Sequence, residues 1–201
     1  MILWRVLPWD PSARPADPGG ALWFPRPFQG TGRHDDPARY GCLYLTEGAT
    51  SAVAESLAPF RGTREMRPEL LTRMGRPLAL AELELGDDAA LVDLDDPRTL
   101  VREGLRPSVV ATSRRVVTQE YATRLFAAGA AGLRWWSTLE AAWMNATLFD
   151  RARGSLSLRH VRPLDVQDEV VRDAGRFLGL ASPDEVRRAP RPRRAPGSTA
   201  R

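Results

Sequence analysis

Residues 42–61 read CLYLTEGATSAVAESLAPFR, a segment in which an apolar run is followed directly by a helical pattern. Residues 42–46 carry apolar and β-forming side chains, which predict a buried strand. Apolar residues then recur at i, i+4 and i+7, which predicts a helix from about Thr50 to Arg61 with one face in the core. These residues are Val53, Leu57 and Phe60. A strand that leads into an amphipathic helix indicates a domain in which β and α structure are mixed.

Strand and helix patterns continue on both sides of this segment. Apolar runs predict further strands, which cover residues 2–7, 77–85, 89–93, 132–137 and 146–149. Helical spacing predicts helices over residues 118–128 and 165–178, and Pro97 after two aspartates opens a short one. Because several strands follow one another directly, we predict an α+β domain rather than a regular doubly wound sheet.

Two segments differ from this regular pattern. Residues 8–40 are rich in proline and glycine, which excludes a central strand and predicts a long loop of the kind that is often functional. Residues 187–201 contain six arginines and no acidic residue, and we expect them to form a disordered tail. Residues 1–186 are then expected to form one domain, whose size permits a core without disulfide bonds.

All 29 basic residues of the 201-residue chain are arginines. The lack of lysine excludes a lysine Schiff base, a lysine general base and a phosphate-loop lysine. Any anion must therefore be bound by guanidinium groups, backbone amides or hydroxyls. The tail carries six positive charges, so the net charge of +4 leaves −2 for residues 1–186. The basic character belongs to the tail and not to the domain.

The apolar patterns of the sequence also predict where the protein is located. Arg5 interrupts the first apolar run before it reaches signal-peptide length, and no stretch approaches the roughly 18 apolar residues of a membrane span. We expect a cytoplasmic protein with no membrane contact.

Cys42, His34 and His160 do not form a zinc-binding pattern, so we expect no metal site.

Residues 22–55 hold the most informative group of side chains. Arginines and turn amides suit phosphate, tyrosine rings suit a flat heterocycle, and a carboxylate can stabilise positive charge at a sugar carbon. The group consists of Arg26, Gly30, Gly32, Arg33, Arg39, Tyr40, Tyr44 and Glu55. It suits a nucleotide or dinucleotide, although arginine-rich surface loops are also common without a ligand.

Two charged residues stand apart from the apolar pattern of their elements. Arg5 lies in an otherwise apolar strand, so it either pairs with a carboxylate or faces a polar cleft. Glu55 lies away from the apolar helix face, and taken alone it is a solvated helix glutamate.

Short motifs occur in a fixed order along residues 2–150. The first half carries Trp4-Arg5-Val6, Gly32-Arg33-His34-Asp35, Leu43-Tyr44-Leu45 and Ala52-Val53-Ala54-Glu55. The second half carries Thr118-Gln119, Gly132-Leu133-Arg134-Trp135-Trp136-Ser137, and Asn145 followed by Leu148-Phe149. This ordered set resembles the RES-domain family, which is named for an arginine, a glutamate and a serine.

The resemblance implies a single-domain ADP-ribosyltransferase-like fold with a mixed, mainly antiparallel sheet flanked by helices. It also implies a toxin that degrades NAD and is usually encoded beside an Xre-type antitoxin. Family members split the bond between nicotinamide and ribose and pass the ADP-ribosyl group to water or phosphate, or to a protein. We therefore expect NAD as the substrate, phosphate as a candidate acceptor and an antitoxin as a candidate partner.

Three charged residues receive roles from this resemblance. Glu55 would stabilise the positive charge that develops on the ribose as nicotinamide leaves. Arg5 and Arg33 would bind the pyrophosphate or the incoming phosphate, although Arg5 could instead form a structural ion pair.

Four further residues are expected at NAD. Tyr44 would pack against the nicotinamide end, and Ser137 would hydrogen-bond a ribose or amide group. A core tyrosine and a turn serine are the structural alternatives for these two. His34 and Asn145 complete the set through their places in the motifs.

The sequence departs from the common family pattern at two positions. Asp35 stands where many members have asparagine, and Val116 stands where many have a small polar residue. A carboxylate beside an anion site repels phosphate, so we expect this protein to be slower or to prefer water as the acceptor.

One alternative comes from a different class of protein. The arginine tail could bind nucleic acid without catalysis, in a salt-dependent manner. Deletion of residues 187–201 would abolish such a function and would leave NAD cleavage intact.

Overall fold

A computed structural model describes residues 1–63 and 65–181. In this part of the chain eight strands form one sheet: β1 (Ile2–Pro8), β2 (Cys42–Thr46), β3 (Thr72–Arg73), β4 (Arg76–Leu85), β5 (Leu91–Asp93), β6 (Gly132–Trp136), β7 (Met144–Phe149) and β8 (Leu156–Pro163). The α-helices are α1 (Ala49–Leu57), α2 (Pro97–Arg102), α3 (Pro107–Val110), α4 (Arg115–Ala127) and α5 (Glu169–Leu178). The arginine tail at 187–201 lies outside the described residues.

The sheet is mixed and mainly antiparallel. Its main path runs β3-β4-β1-β2-β7-β6-β5, and β8 pairs with β4. The pairing of β5 with β6 is parallel, and all the other strand pairs are antiparallel. The predicted α+β fold, with a mixed and mainly antiparallel sheet flanked by helices, is confirmed.

Alternate residues of β1 contribute to two different apolar clusters, as a strand that is covered on both faces requires. Leu3 and Leu7 join a cluster that includes Phe24 of the long loop. Trp4 and Val6 pack against a second cluster, which is formed mainly by α1 and α5. The loop predicted at residues 8–40 therefore covers part of the sheet.

A third apolar cluster lies under α4 and the preceding short helices. It buries Tyr121 and Leu125 of α4 together with Trp135 of β6 and Phe149 of β7. Asp96 begins α2 by accepting hydrogen bonds from the backbone N–H groups of Arg98 and Thr99, which agrees with the helix start predicted at Pro97. This packing fixes α4 beside the middle of the sheet.

Several elements differ from the sequence-based prediction, among them α1 and β8. The helix predicted to reach Arg61 ends at Leu57 and continues as a 3₁₀ turn over Ala58–Phe60, because Pro59 has no N–H and its ring opposes a helical turn. Strand β8 was not predicted, since it is largely exposed and a bulge opposite Glu82 and Leu83 interrupts its alternation. Within the described residues no helix is long and apolar enough to cross a bilayer.

Candidate active site

A cavity of about 340 Å³ opens between β1, β2, α1, the start of α4 and the β6–β7 pair. Its charged and polar lining consists of Arg5, Arg33, Arg73, Arg115, Glu55, Tyr44, Thr46, Ser56, Thr138 and Asn145. Four of these residues are arginines and one is a glutamate. The cavity therefore presents a strongly positive wall around one carboxylate.

Glu55 receives two side-chain hydrogen bonds at the cavity wall. Ser137 Oγ donates to its Oε1 across 2.6 Å, and Asn145 Nδ2 donates to the same oxygen across 3.1 Å. Among the described residues, no protein group donates to Oε2. The carboxylate is thus held at one oxygen and has the other available to a ligand, which is not the arrangement of a solvated helix glutamate.

The pairing of β6 with β7 brings these two donors together. Trp135 lies opposite Asn145 in the register, so the end of β6 lies beside the start of β7. Ser137 follows β6 directly, and its N–H donates to the carbonyl of Trp143 across 2.7 Å. Its hydroxyl also accepts a hydrogen bond from Leu139 N–H. Ser137 is therefore both a turn serine and a partner of Glu55.

Arg5 is bound by the long loop and lines the cavity. Its Nη1 donates to the carbonyls of Ala21 and Trp23 across 2.9 and 3.3 Å. Within residues 1–63 and 65–181 it forms no salt bridge, and its buried Nε has no hydrogen-bond partner. Burial lowers the pKa of its guanidinium to about 10, which leaves it charged at neutral pH. Of the two interpretations, the structure favours a charge that faces a cleft.

Arg33 is almost fully buried, with 7% of its surface exposed. Its Nη1 donates to the carbonyls of Val110 and Thr112 across 3.0 and 2.8 Å, and its guanidinium lies 5.0 Å from the ring centroid of Trp135. Burial lowers the pKa of Arg33, as does nearby Arg115. Since this buried cation forms no salt bridge with any of the described residues, it is suited to bind an anion.

Tyr44 lines the cavity, and its hydroxyl donates to Oδ1 of Asp35 across 2.7 Å. Asp35 lies in the loop beneath, where it accepts N–H groups of the same loop. Asp35 does not line the cavity. It lines a separate groove beside α4, together with the exposed Val116. Asp35 therefore lies in the same loop as Arg33, but its carboxylate is engaged by amides of that loop and by Tyr44.

His34 is fully buried and lies behind the cavity wall rather than in it. Its Nδ1 is 2.8 Å from Thr147 Oγ1, and its Nε2 is 2.8 Å from Tyr121 hydroxyl. Burial holds its pKa well below the ordinary value of 6.5, and the charges of Arg33 and Arg115 act in the same direction. A neutral, doubly hydrogen-bonded histidine supports the wall.

The structure thus brings six of the seven predicted site residues to one place. Arg5, Arg33, Tyr44, Glu55 and Asn145 line the cavity, and Ser137 bonds to Glu55. Arg73 and Arg115 also line the cavity and were not predicted from the sequence. Arg115 could have been found as the first residue of α4, three positions before the Thr118 motif, whereas no sequence signal distinguishes Arg73 in its short hairpin.

Comparisons with known proteins identify the family of the chain and agree with its fold. No curated protein matches the chain. A chain in the crystal structure of the M. tuberculosis MbcT–MbcA toxin–antitoxin complex is similar in fold, with a TM-score of 0.59 at 18% sequence identity. The alignment covers 81% of this chain and 83% of that chain. The RES domain profile matches residues 2–190, and this protein therefore belongs to the RES domain family.

Proposed function

We propose that this protein is a toxin that cleaves the N-glycosidic bond between nicotinamide and ribose in NAD and passes the ADP-ribosyl group to water or phosphate. The observation that carries this proposal is the oriented carboxylate of Glu55 in the same cavity as four arginines. NAD has the matching charges, since its nicotinamide ring is cationic and its pyrophosphate is doubly anionic.

The departure of nicotinamide leaves positive charge on the ribose carbon and its ring oxygen. A carboxylate that is held in place before the reaction stabilises this charge with little reorganisation. Ser137 and Asn145 both donate to Oε1 of Glu55 and so fix the direction of Oε2. Glu55 accordingly acts by electrostatic stabilisation or by a hydrogen bond to a ribose hydroxyl, and Ser137 and Asn145 are positioning residues.

The arginines account for the anionic part of the substrate. Arg5 and Arg33 are anchored to backbone carbonyls through Nη1, which fixes both guanidinium groups beside the cavity in advance. Arg115 at the mouth adds a cation that forms no ion pair within the described residues. Pre-oriented guanidinium groups bind phosphate at little entropic cost. The volume of about 340 Å³ suits one small ligand or the reactive part of a larger one.

The toxin role rests on family membership and on the fold that this chain shares with a chain of a toxin–antitoxin complex. We propose an antitoxin of the Xre type as the protein partner and the cytoplasm as the location, where NAD is available. Because such a partner would act by blocking access to NAD, purified protein without it is expected to be active.

Incubation of the purified protein with NAD tests the reaction. The expected products are nicotinamide and ADP-ribose, or the phosphorylated ADP-ribose when phosphate is the acceptor. Intact NAD after prolonged incubation would contradict the proposal. If nicotinamide appears together with ADP-ribose on a protein, a protein acceptor replaces water and phosphate. If the function in cells disappears with residues 187–201 while NAD cleavage persists, the nucleic-acid-binding alternative is favoured.

A further inference from the structure

Tyr44 lines the cavity, and two protein groups already bind its hydroxyl. It donates a hydrogen bond to Oδ1 of Asp35 across 2.7 Å. It also accepts a hydrogen bond from the backbone N–H of His34 across 2.9 Å. Both partners belong to the loop that carries Arg33.

Asp35 has no freedom to turn away from this contact. Its Oδ2 accepts the backbone N–H groups of Gly30 and Gly32 across 2.8 and 2.7 Å, and only 5% of the residue is exposed. Gln119 of α4 donates to the carbonyls of the same two glycines across 3.1 and 2.9 Å, so the helix holds the loop in place. A Cβ atom at Gly32 would lie 2.6 Å from the Tyr44 hydroxyl, which shows how tightly the loop closes on the tyrosine.

These contacts fix the direction of the Tyr44 proton. An ionised carboxylate only accepts hydrogen bonds, and the backbone N–H of His34 only donates, so the phenolic proton must point to Asp35. Burial raises the pKa of Tyr44 well above its ordinary value, and the proximity of Asp35 adds to this, so the proton is retained at neutral pH. A phenolic oxygen has two lone pairs, and His34 occupies one. What remains for a ligand is a single acceptor position.

We propose that Asp35 is a specificity-determining residue that fixes Tyr44 as a hydrogen-bond acceptor toward the cavity, so that the ligand group beside Tyr44 must be a donor. This inference rests on the proposed function, in which Tyr44 contacts the nicotinamide end. The donor there is the NH₂ of the carboxamide. Asp35 thus selects a carboxamide over a ketone at this position without touching the substrate.

An Asp35→Asn variant tests the direction of this hydrogen bond. The asparagine oxygen can still accept the N–H groups of Gly30 and Gly32, but its NH₂ group then donates to the Tyr44 oxygen. With two donors on its oxygen, Tyr44 turns its proton toward the cavity and becomes a donor. The variant should therefore accept a carbonyl oxygen as readily as an amide N–H.

The probe is 3-acetylpyridine adenine dinucleotide, in which a methyl group replaces the carboxamide NH₂. We would measure the dissociation constants of NAD and of this analogue by calorimetry in a Glu55→Gln background, which prevents turnover. The variants are Asp35→Asn, Tyr44→Phe and, as a matched control, Asp36→Asn. Asp36 is the adjacent carboxylate, and it contacts Arg39 and Thr123 instead of the tyrosine.

In the Glu55→Gln background, we expect NAD to bind roughly tenfold more tightly than the analogue, which is the usual effect of one hydrogen bond. This preference should decrease to within about twofold when Asp35→Asn or Tyr44→Phe is added. Asp36→Asn should keep the full preference. Equal binding of the two dinucleotides in the Glu55→Gln background, or an unchanged preference in either Asp35→Asn or Tyr44→Phe, would overturn the inference. If Asp35→Asn does not fold, an unchanged preference in Tyr44→Phe still overturns the inference, because that variant has no hydroxyl to accept a hydrogen bond from the ligand. If the preference behaves as expected but the native protein leaves NAD intact, the proposed reaction fails and the inference about Tyr44 stands.

Discussion

Ser137 Oγ lies 2.6 Å from Oε1 of Glu55, although the two residues are 82 positions apart in the chain. The contact joins the turn after β6 to the last turn of α1 and thereby orients a carboxylate on a helix face that would otherwise be solvated. Asn145 of β7 donates to the same oxygen. The geometry of the candidate site depends on this three-residue contact.

Loss of either donor should slow the reaction more than it weakens binding. In Ser137→Ala or Asn145→Ala, the Glu55 carboxylate keeps one of its two partners and can rotate away from the ribose. We expect kcat to fall by roughly 10- to 100-fold with a smaller change in KM, since misplacement of a catalytic group by about 1 Å has this effect. Steady-state measurement of nicotinamide release gives both constants. A rise in KM with unchanged kcat would show instead that these side chains bind the substrate directly.

The arginines of the cavity should separate into a structural and a ligand-binding class. Arg115 is exposed and lines the cavity, so Arg115→Gln should raise KM for NAD by about three- to tenfold. The increase should be smaller at high salt, where the charge is screened. The melting temperature should not change, because the side chain is on the surface. Arg33→Gln should also lower the melting temperature, because the carbonyls of Val110 and Thr112 then lose a buried donor. Arg172→Gln on α5 is the control. Equal KM values for Arg115→Gln and the control would remove Arg115 from the site.

His34 should make the stability of the protein sensitive to acid. Its pKa in the folded state lies well below 6.5, so the unfolded chain binds a proton that the folded chain does not. The stabilisation is therefore complete above about pH 6.5 and is lost progressively as the pH falls below that value, by at most about 1.4 kcal/mol per pH unit. Denaturant unfolding of the native protein and of His34→Phe between pH 7 and pH 5 measures this loss.

His160 provides the matched comparison for this measurement, because it lies exposed on β8. The loss of stability between pH 7 and pH 5 should be shallower in His34→Phe than in His160→Gln. An equally steep loss of stability in His34→Phe would assign the acid sensitivity to other groups.

Phosphate should stimulate the reaction only weakly. The carboxylate of Asp35 is engaged with loop amides and Tyr44, but its negative charge still lies in the loop that carries Arg33. We expect nicotinamide release to be similar with and without added phosphate, with ADP-ribose as the main product. A parallel measurement with sulfate at the same ionic strength controls for the screening of charges by salt. Strong stimulation that is specific to phosphate would contradict this expectation.

The elements around the central strands could be predicted from the sequence because their apolar patterns are regular. Residues 42–46 and the face formed by Val53 and Leu57 have the periodicity of the elements that they form. Strand β8 could not be predicted in this way, because it is an exposed strand with Arg159 and Arg162 among its residues.

The sequence predicted which residues belong to the candidate site but not which of them contact one another. Nothing local to Glu55 indicates that Ser137 and Asn145 bind it, since the pairing of β6 with β7 and their packing beside α1 are tertiary events. For the same reason the sequence left Arg5 with two interpretations. Its backbone partners, Ala21 and Trp23, lie in a loop whose path no periodic pattern specifies.

The most direct test of the account compares NAD loss in the native protein with that in Glu55→Gln. Glutamine keeps an oxygen that can accept from Ser137 and Asn145 and removes only the charge, so the fold and the melting temperature should be retained. Glu69→Gln, at an exposed position away from the cavity, serves as the control. We predict rapid release of nicotinamide by the native protein and by Glu69→Gln, and a loss of at least about 100-fold in Glu55→Gln. Equal rates in Glu55→Gln and the native protein would contradict the central role of this carboxylate.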